Sequence, residues 1–142
     1  MKRHRLETRI FFPGIVTGPG KNLLLRGADC FALASETENF SIATAEALAA
    51  GLPVVITPDI QISRDVLLSE SGKTASPDAT AFSEAILEIL TGPALAARLS
   101  KNATRLAEER YSWNAITPKL KRIYECILTR QPFPESPFHA DF

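Results

Sequence analysis

Two glutamates, Glu38 and Glu46, are the residues whose type and spacing could do chemistry in this sequence. Seven residues separate them, and Glu46 is the only ionisable residue between Glu38 and Asp59. Because a buried carboxylate without a partner is costly, Glu46 must accept hydrogen bonds, pair with a cation or face a ligand-filled crevice. A carboxylate only accepts hydrogen bonds, so it suits two vicinal hydroxyl groups of a ribose.

The segment that carries Glu46 is predicted to be an apolar helix over residues 41–50. At about 100° per residue, four of its residues fall within one arc of about 100°. They are Ile42, Ala45, Glu46 and Ala49. We therefore expect Glu46 to project from an inward-facing stripe and to lie mostly buried beside a crevice opened by the loop of residues 35–41. Glu38 should line the same crevice, whereas Glu36 is interpreted as a solvated charge.

The start of this helix is predicted to follow the carboxyl end of a buried parallel strand, where open α/β sheets bind ligands. The helix dipole and the unpaired backbone N–H groups at this point favour a phosphate. These N–H groups belong to Asn39, Phe40, Ser41 and Ile42. A carboxylate further along the helix can reach hydroxyl groups beside that phosphate, so Glu46 and the helix start are predicted to bind one ligand.

Strands alternate with helical patterns along the first half of the chain, which is the βαβ signature. The predicted strands are residues 8–13, 30–34, 53–57 and 73–76. Continuously apolar runs such as 30–34 are typical of strands covered on both faces. The predicted fold class is α/β, a Rossmann-like parallel sheet of about four strands flanked by helices.

The C-terminal third is predicted to be helical in three segments. Asp78 suits the N-cap of the first helix, and Pro93 suits the first position of the second. In the third, an apolar stripe extends over residues 113–127. Pro118 either kinks this helix or follows an N-cap at Thr117.

Composition excludes several function classes. The chain has 142 residues, 45% of them hydrophobic, which fits one domain over residues 1–142 with an irregular tail at 131–142. Sixteen basic residues balance sixteen acidic ones, so the net charge does not recruit nucleic acid or an anionic membrane. The sequence has no signal-peptide pattern and no transmembrane segment, and we expect a cytoplasmic location. Cys30 and Cys126 are interpreted as reduced packing residues.

Other ligand-binding and catalytic patterns are missing. Residues 14–22 resemble a phosphate loop, but five residues separate Gly14 from Gly20, and Asn22 stands where a hydroxyl is required. This stretch is interpreted as a turn after a strand. Both histidines lie in the terminal segments without a nucleophile–base pair, and metal-ligand clusters are missing too.

Residues 28–57, ADCFALASETENFSIATAEALAAGLPVVIT, resemble the central donor-binding segment of the retaining glycosyltransferases of group 1 type. The family pattern is an apolar strand ending in Ser, a loop with Glu and Phe, and a helix with a second Glu after seven intervening residues. Gly51, Pro53, Val54 and Val55 then follow as in the family. Weaker matches extend the resemblance over about residues 8–130.

The resemblance implies a partial C-terminal domain of a GT-B fold that binds a nucleotide sugar. In the family, the first glutamate contacts the transferred sugar and the second binds the ribose. By match, these roles fall to Glu38, as the catalytic residue, and to Glu46. The loop amides that hold the sugar and diphosphate fall to Asn39, Phe40 and Ser41. No cofactor and no metal is implied.

The sequence departs from the family pattern in several places. Ser41 replaces the usual Gly after Phe40, and residues 58–65, PDIQISRD, replace the common Gly-Gly-x-x-Glu. The acceptor domain, two strands and the Arg and Lys that neutralise the diphosphate are unmatched, and neither Lys21 nor Arg26 occupies their positions. We therefore expect no activity from the chain alone. The alternative functions are a non-catalytic remnant or assembly module, and an unrelated Rossmann-like nucleotide-binding domain.

The unmatched strands also bear on assembly. In the family they would separate residues 8–13 from residues 30–34, so both predicted strands lack a neighbour. The first strand can collapse onto the second, or each chain can pair with a second copy. We expect a homodimer rather than a repacked monomer, and a partner chain carrying the missing N-terminal half is the other candidate partner.

Overall fold

The fold is built on a three-stranded parallel sheet, seen in a computed structural model that describes residues 6–132. The strands, in sheet order, are β1 (Phe31–Leu33), β2 (Val54–Ile56) and β3 (Gly72–Thr74). In the register of the sheet, Phe31 pairs with Val54, and Val54 pairs with Gly72. Because both pairings are parallel, the carboxyl ends of the three strands share one edge of the sheet.

Helices connect the strands and form the C-terminal part of the described chain. They are α1 (Gly18–Arg26), α2 (Ile42–Ala49), α3 (Ser63–Leu68), α4 (Ala79–Thr91), α5 (Pro93–Leu106) and α6 (Trp113–Thr129). A π-helical turn, Ala107–Tyr111, joins α5 to α6. Since α2 connects β1 to β2 and α3 connects β2 to β3, the two βαβ units confirm the predicted α/β class.

The central strand β2 separates two apolar cores. Its three residues are fully buried, and successive side chains point to opposite faces of the sheet. Val54 and Ile56 pack in one core, which includes Leu48 and Leu106. Val55 packs in the other core, with Phe82, Ile89 and Leu99. Full burial of each such side chain contributes about 1.5–3 kcal/mol, so β2 anchors the layers on both faces.

The predicted strand over residues 8–13 is wrong, and the sheet has three strands rather than four. Residues 7–9 form a turn and 10–13 have no regular structure. Phe11 and Phe12 are 84% and 72% exposed. A strand needs a neighbour for its N–H and C=O groups, and within residues 6–132 the hydrogen-bonded neighbour of β1 is β2 alone. The outer edge of β1 is therefore open.

Local capping signals place the helix starts. The Asp78 side chain caps α4 by accepting the amide of Ala81 at 2.9 Å, as predicted. Pro93 begins α5, also as predicted. Of the two alternatives at Pro118, the N-cap at Thr117 is wrong, because α6 begins at Trp113 and Pro118 lies inside it.

The reason for this difference at α6 is a cap that lies further upstream. Ser112 Oγ accepts the amide of Ala115 at 3.1 Å and so satisfies a donor of the first turn. The predicted apolar stripe is only partly covered, since Trp113 is 78% exposed and Ile127 is 55% exposed. The residue that α6 buries is Cys126.

Several predictions concern the chain as a whole. In the described part, none of the helices combines the length and the apolarity that crossing a membrane requires.

Cys30 and Cys126 are free thiols. Burial, assisted by the charge of Asp29, raises the pKa of Cys30 to about 11, which keeps this thiol protonated and poorly nucleophilic. Of the predicted tail, residues 133–142 lie outside the described residues.

Candidate functional site

The loop between β1 and α2 lies at the carboxyl edge of the sheet and is tied to the end of β2. The hydroxyl of Thr57 donates to the carbonyl of Ser35 at 2.5 Å, and it accepts the Ser35 amide at 3.4 Å. The amide of Gln61 donates to the carbonyl of Asn39 at 3.2 Å. Because Thr57 and Gln61 both lie in the connection from β2 to α3, that connection holds the loop at two points.

Ser41 caps α2 from a left-handed backbone conformation. Its φ and ψ are 61° and 82°, and its side chain accepts the amide of Thr44 at 3.4 Å. The two hydroxyls of Ser41 and Thr44 also lie 2.9 Å apart. A positive φ is where glycine is favoured, which gives a physical reason for the Gly that the family pattern has at this position.

The first turn of α2 offers backbone donors at this end of the sheet. The amides of Ile42 and Ala43 precede the first helical hydrogen bond, in which Ala45 donates to the carbonyl of Ser41 at 3.2 Å. The dipole of the helix adds partial positive charge at the same place. The helix therefore starts at the carboxyl edge of the sheet, as predicted. The expectation that β1 is covered on both faces is wrong, because Ala32 is exposed, and eight residues separate the end of β1 from Ile42.

Glu38 lines an open cavity of about 560 Å³ beside this loop. The other residues around it are Glu36, Thr37, Asn39 and Asp59. Carboxylates accept hydrogen bonds and repel anions, so this cavity suits hydroxyl groups of a sugar rather than a phosphate. Glu36, interpreted from the sequence as a solvated charge, is exposed but shares the cavity with Glu38.

Glu46 is held by a cation from α1. Lys21 Nζ lies 2.5 Å from Glu46 Oε1, and each side chain is 39% exposed. Pairing with a cation is thus the observed choice among the alternatives that the sequence left open. Because both groups are partly solvated, the pair contributes about 1 kcal/mol or less to stability.

The expectation of one crevice shared by Glu38 and Glu46 is wrong. Glu46 lines a separate cavity of about 180 Å³ between α1 and α2. The other lining residues are Asn22, Leu25, Arg26, Ala49 and Ala50. Glu46 is also only partly buried, so it lies beside a crevice that the loop of residues 35–41 does not form.

The predicted inward stripe of α2 is wrong as well. The buried residues of this helix are Thr44, Ala47 and Leu48, whereas Ile42 is 72% exposed. The reason is that α2 packs against α5 and the π-helical turn, and these elements contact the face that carries Ala47 and Leu48. The face with Ile42, Glu46 and Ala49 points away from this core.

A group of side chains behind the loop was missed by sequence reasoning. The carboxylate of Asp65 on α3 accepts Arg110 Nη1 at 2.7 Å and also accepts the hydroxyl of Tyr111. Burial and this hydrogen bond raise the pKa of the Tyr111 hydroxyl above its ordinary value. The ring of Tyr111 in turn packs against Phe40 on the site loop. No spacing rule links these residues, because they come from three distant segments.

Known proteins are similar in sequence to most of this chain. The chain is 32% identical over 127 residues to a phosphatidyl-myo-inositol mannosyltransferase of Mycobacterium leprae. The aligned region covers 87% of this chain and 33% of that protein. It is 27% identical over 139 residues to a glycogen synthase of Mycobacterium tuberculosis, over 96% of this chain and 34% of that protein. The chain therefore spans about a third of the length of these relatives.

A solved structure agrees with the sequence comparisons. The sucrose-phosphate synthase from Thermosynechococcus elongatus superposes with a TM-score of 0.81 at 27% identity, over 92% of this chain and 33% of that chain. A sequence model of the family described as "Glycosyl transferases group 1" matches residues 1–106, which is most of the chain and includes β1, α2 and the loop between them. The chain therefore belongs to the group 1 glycosyltransferase family and forms a fragment of its GT-B fold.

Proposed function

We propose that this chain is the donor-binding part of a retaining glycosyltransferase and binds a nucleotide diphosphate sugar where β1 meets α2. The observation that carries the proposal is the helix start at Ser41 and Ile42, placed at the carboxyl edge of a parallel sheet in a chain of this family. In open α/β sheets this edge is where ligands bind.

The diphosphate is proposed to lie against backbone amides of the site loop and of the first residue of α2. These are the amides of Asn39, Phe40 and Ser41 on the loop and of Ile42 on the helix. As the glycosidic bond breaks, negative charge grows on the leaving diphosphate. Backbone dipoles that are already oriented stabilise this charge without having to reorganise.

Glu38 is proposed to contact the transferred sugar. It lies on the loop ahead of α2 and lines a cavity whose three carboxylates suit sugar hydroxyls. The diphosphate and the sugar would then occupy neighbouring places, with the anion at the helix start and the hydroxyl groups in the acidic cavity. No metal and no cofactor takes part in this proposal.

Glu46 is proposed to bind the ribose, which requires a rearrangement at Lys21. In the structure the Glu46 carboxylate accepts from the Lys21 ammonium. A ribose that donates two hydroxyl groups to the carboxylate must displace or share this cation. Since the pair is partly exposed, displacement costs about 1 kcal/mol or less, which a bound nucleotide can readily offset.

The chain by itself is proposed to be inactive as a transferase. It spans about a third of the length of its relatives, and positioning of two substrates supplies much of the rate of a transfer reaction. We expect no turnover of nucleotide sugars by the pure chain above a Glu38→Gln control. Turnover that depends on Glu38 would contradict this part of the proposal.

A second candidate function, an assembly module without activity, is favoured by one observation. Phe11, Phe12 and Ile15 are strongly exposed, and the outer edge of β1 is open in the part of the chain that the structure describes. We propose a second copy of this chain as the partner, because each copy carries both an exposed apolar segment and an open strand edge that could accept it. Self-association without nucleotide binding would support this second function over the first.

Binding of nucleotide sugars to the purified chain tests the proposed function. Calorimetric titrations with UDP-glucose and GDP-mannose should detect one of them, and Glu46→Gln should weaken that binding about tenfold through loss of a charged acceptor. Glu125→Gln, an exposed change on α6, is the matched control and should leave the affinity unchanged. The absence of binding by the wild-type chain to uridine, guanosine and adenosine diphosphates and their sugars would overturn the proposal.

A further inference from the structure

Phe40 is the aromatic residue of the site loop, and it is held from behind by Tyr111. The two ring centroids lie 5.1 Å apart with an angle of 76° between the ring planes, an edge-to-face contact. Both rings are partly buried and pack against the core that contains Leu48 and Leu106. Phe40 directly precedes Ser41, whose φ is 61°. The position of the Phe40 ring and the left-handed turn at Ser41 are therefore set together.

Tyr111 is itself fixed by the unusual turn that carries it. In a regular α-helix the side chains of residues 110 and 111 would diverge by about 100°. In the π-helical turn both reach one carboxylate, with Arg110 on Asp65 Oδ1 and Tyr111 on Asp65 Oδ2. π-Helical turns are rare in proteins, and those that occur are often found at functional sites.

The region of α3 contacts the site loop by two routes. Asp65 lies on α3, and Gln61, just ahead of α3, donates its amide to the carbonyl of Asn39. The region of α3 thus reaches the loop directly through Gln61 and indirectly through Tyr111 and Phe40. Two routes that meet on adjacent residues restrict the loop more than either contact alone.

We propose that Tyr111 is a positioning residue for the site loop. Asp65 holds its hydroxyl, its ring holds Phe40, and this series of contacts fixes the backbone of residues 38–41 before a ligand arrives. The amides that would face a diphosphate are then already oriented. The coupling between Tyr111 and the loop rests on the contacts above, whereas its effect on donor binding rests on the proposed function.

Hydrogen exchange of the full chain tests the coupling without any ligand. Tyr111→Leu removes the ring and the hydroxyl. It should speed exchange of the amides of Gln61 and Thr44, which donate to Asn39 and Ser41 of the loop, about tenfold. Tyr111→Phe keeps the ring and should speed this loop exchange about threefold. The amides of β2 report global opening and should be unchanged in Tyr111→Phe. The matched control is Tyr124→Phe, at an exposed position of α6, which should leave the loop unchanged. Loop exchange at the wild-type rate in both Tyr111 variants would overturn the proposal.

Affinity for UDP-glucose and GDP-mannose gives the second readout. Tyr111→Leu should lower, by about tenfold, the affinity for the sugar nucleotide that the wild-type chain binds. Tyr111→Phe keeps the ring, so its affinity should be close to that of the wild type. If the wild-type chain binds none of the uridine, guanosine and adenosine diphosphates and their sugars, the proposed function fails while the exchange rates still decide the coupling. Equal affinity of wild type and Tyr111→Leu, in a chain that binds, would overturn the positioning role.

Discussion

Lys21 Nζ lies 2.5 Å from Glu46 Oε1, so a cation on α1 neutralises the carboxylate near the middle of α2. The two residues are 25 positions apart in the sequence. Glu46 lines the cavity between α1 and α2, and Lys21 occupies the carboxylate that the proposed function assigns to ribose. Lys21 and a ribose therefore compete for one acceptor.

This competition predicts opposite effects of two substitutions that each remove one charge. Glu46→Gln should weaken nucleotide binding about tenfold, whereas Lys21→Gln should leave it unchanged or tighten it, because the carboxylate is released. Stability of the Lys21→Gln chain should fall by about 1 kcal/mol or less. Isothermal titration and thermal unfolding measure the two quantities. A loss of affinity in Lys21→Gln as large as that in Glu46→Gln would mean that Lys21 contacts the nucleotide instead of competing with it.

Substitutions at Ser41 should separate backbone strain from capping. Ser41→Gly relieves the left-handed strain and loses the cap, and these effects should nearly cancel. Ser41→Ala loses the cap and keeps the strain, so it should be about 1–2 kcal/mol less stable than the glycine variant. Urea unfolding of both variants measures this difference. An alanine variant as stable as the glycine variant would contradict the φ of 61°.

Asp78 predicts an acid-dependent loss of stability. Its pKa is lowered, chiefly by the hydrogen bond from the amide of Ala81, from its ordinary value of 3.8. A lowered folded-state pKa means that the stabilisation is complete above 3.8 and is lost as the pH falls through the folded value. The unfolding midpoint of wild type should therefore approach that of Asp78→Asn below this pH, since asparagine caps without ionising. Asp78→Ser, another cap that does not ionise, should behave like Asp78→Asn. A difference in unfolding midpoint between wild type and both variants that does not change with pH would contradict the prediction.

The exposed apolar segment predicts self-association. Light scattering at micromolar concentration should give twice the chain mass of 15.5 kDa. Replacing both Phe11 and Phe12 by Ser should give the single-chain mass, because it removes the apolar surface that pairing would bury. Leu128→Ser, an equally exposed change on α6, should not alter the mass. A wild-type chain with the mass of one copy would contradict the homodimer.

Local signals predicted much of this fold correctly. The correct predictions depend on residues that are close together in the sequence. They are the strands β1 and β2, the cap at Asp78 and the start of α5 at Pro93. The residue pattern from β1 to β2 was sufficient to indicate the family, since it combines two glutamates at a fixed spacing with a glycine and proline turn. The predicted strand at 8–13 failed because a strand depends on a neighbour, and composition alone does not reveal whether that neighbour exists.

By itself, the sequence determined the α/β class, the βαβ order and the start of α2 at Ser41. Periodicity and capping are short-range effects, which is why they can be read from the chain. Only the tertiary structure decided which face of α2 is buried, because this helix is apolar nearly all round and its pattern specifies no direction. It also decided that Lys21 pairs with Glu46 and that Tyr111 packs on Phe40, since such contacts join distant segments whose meeting depends on how the helices pack.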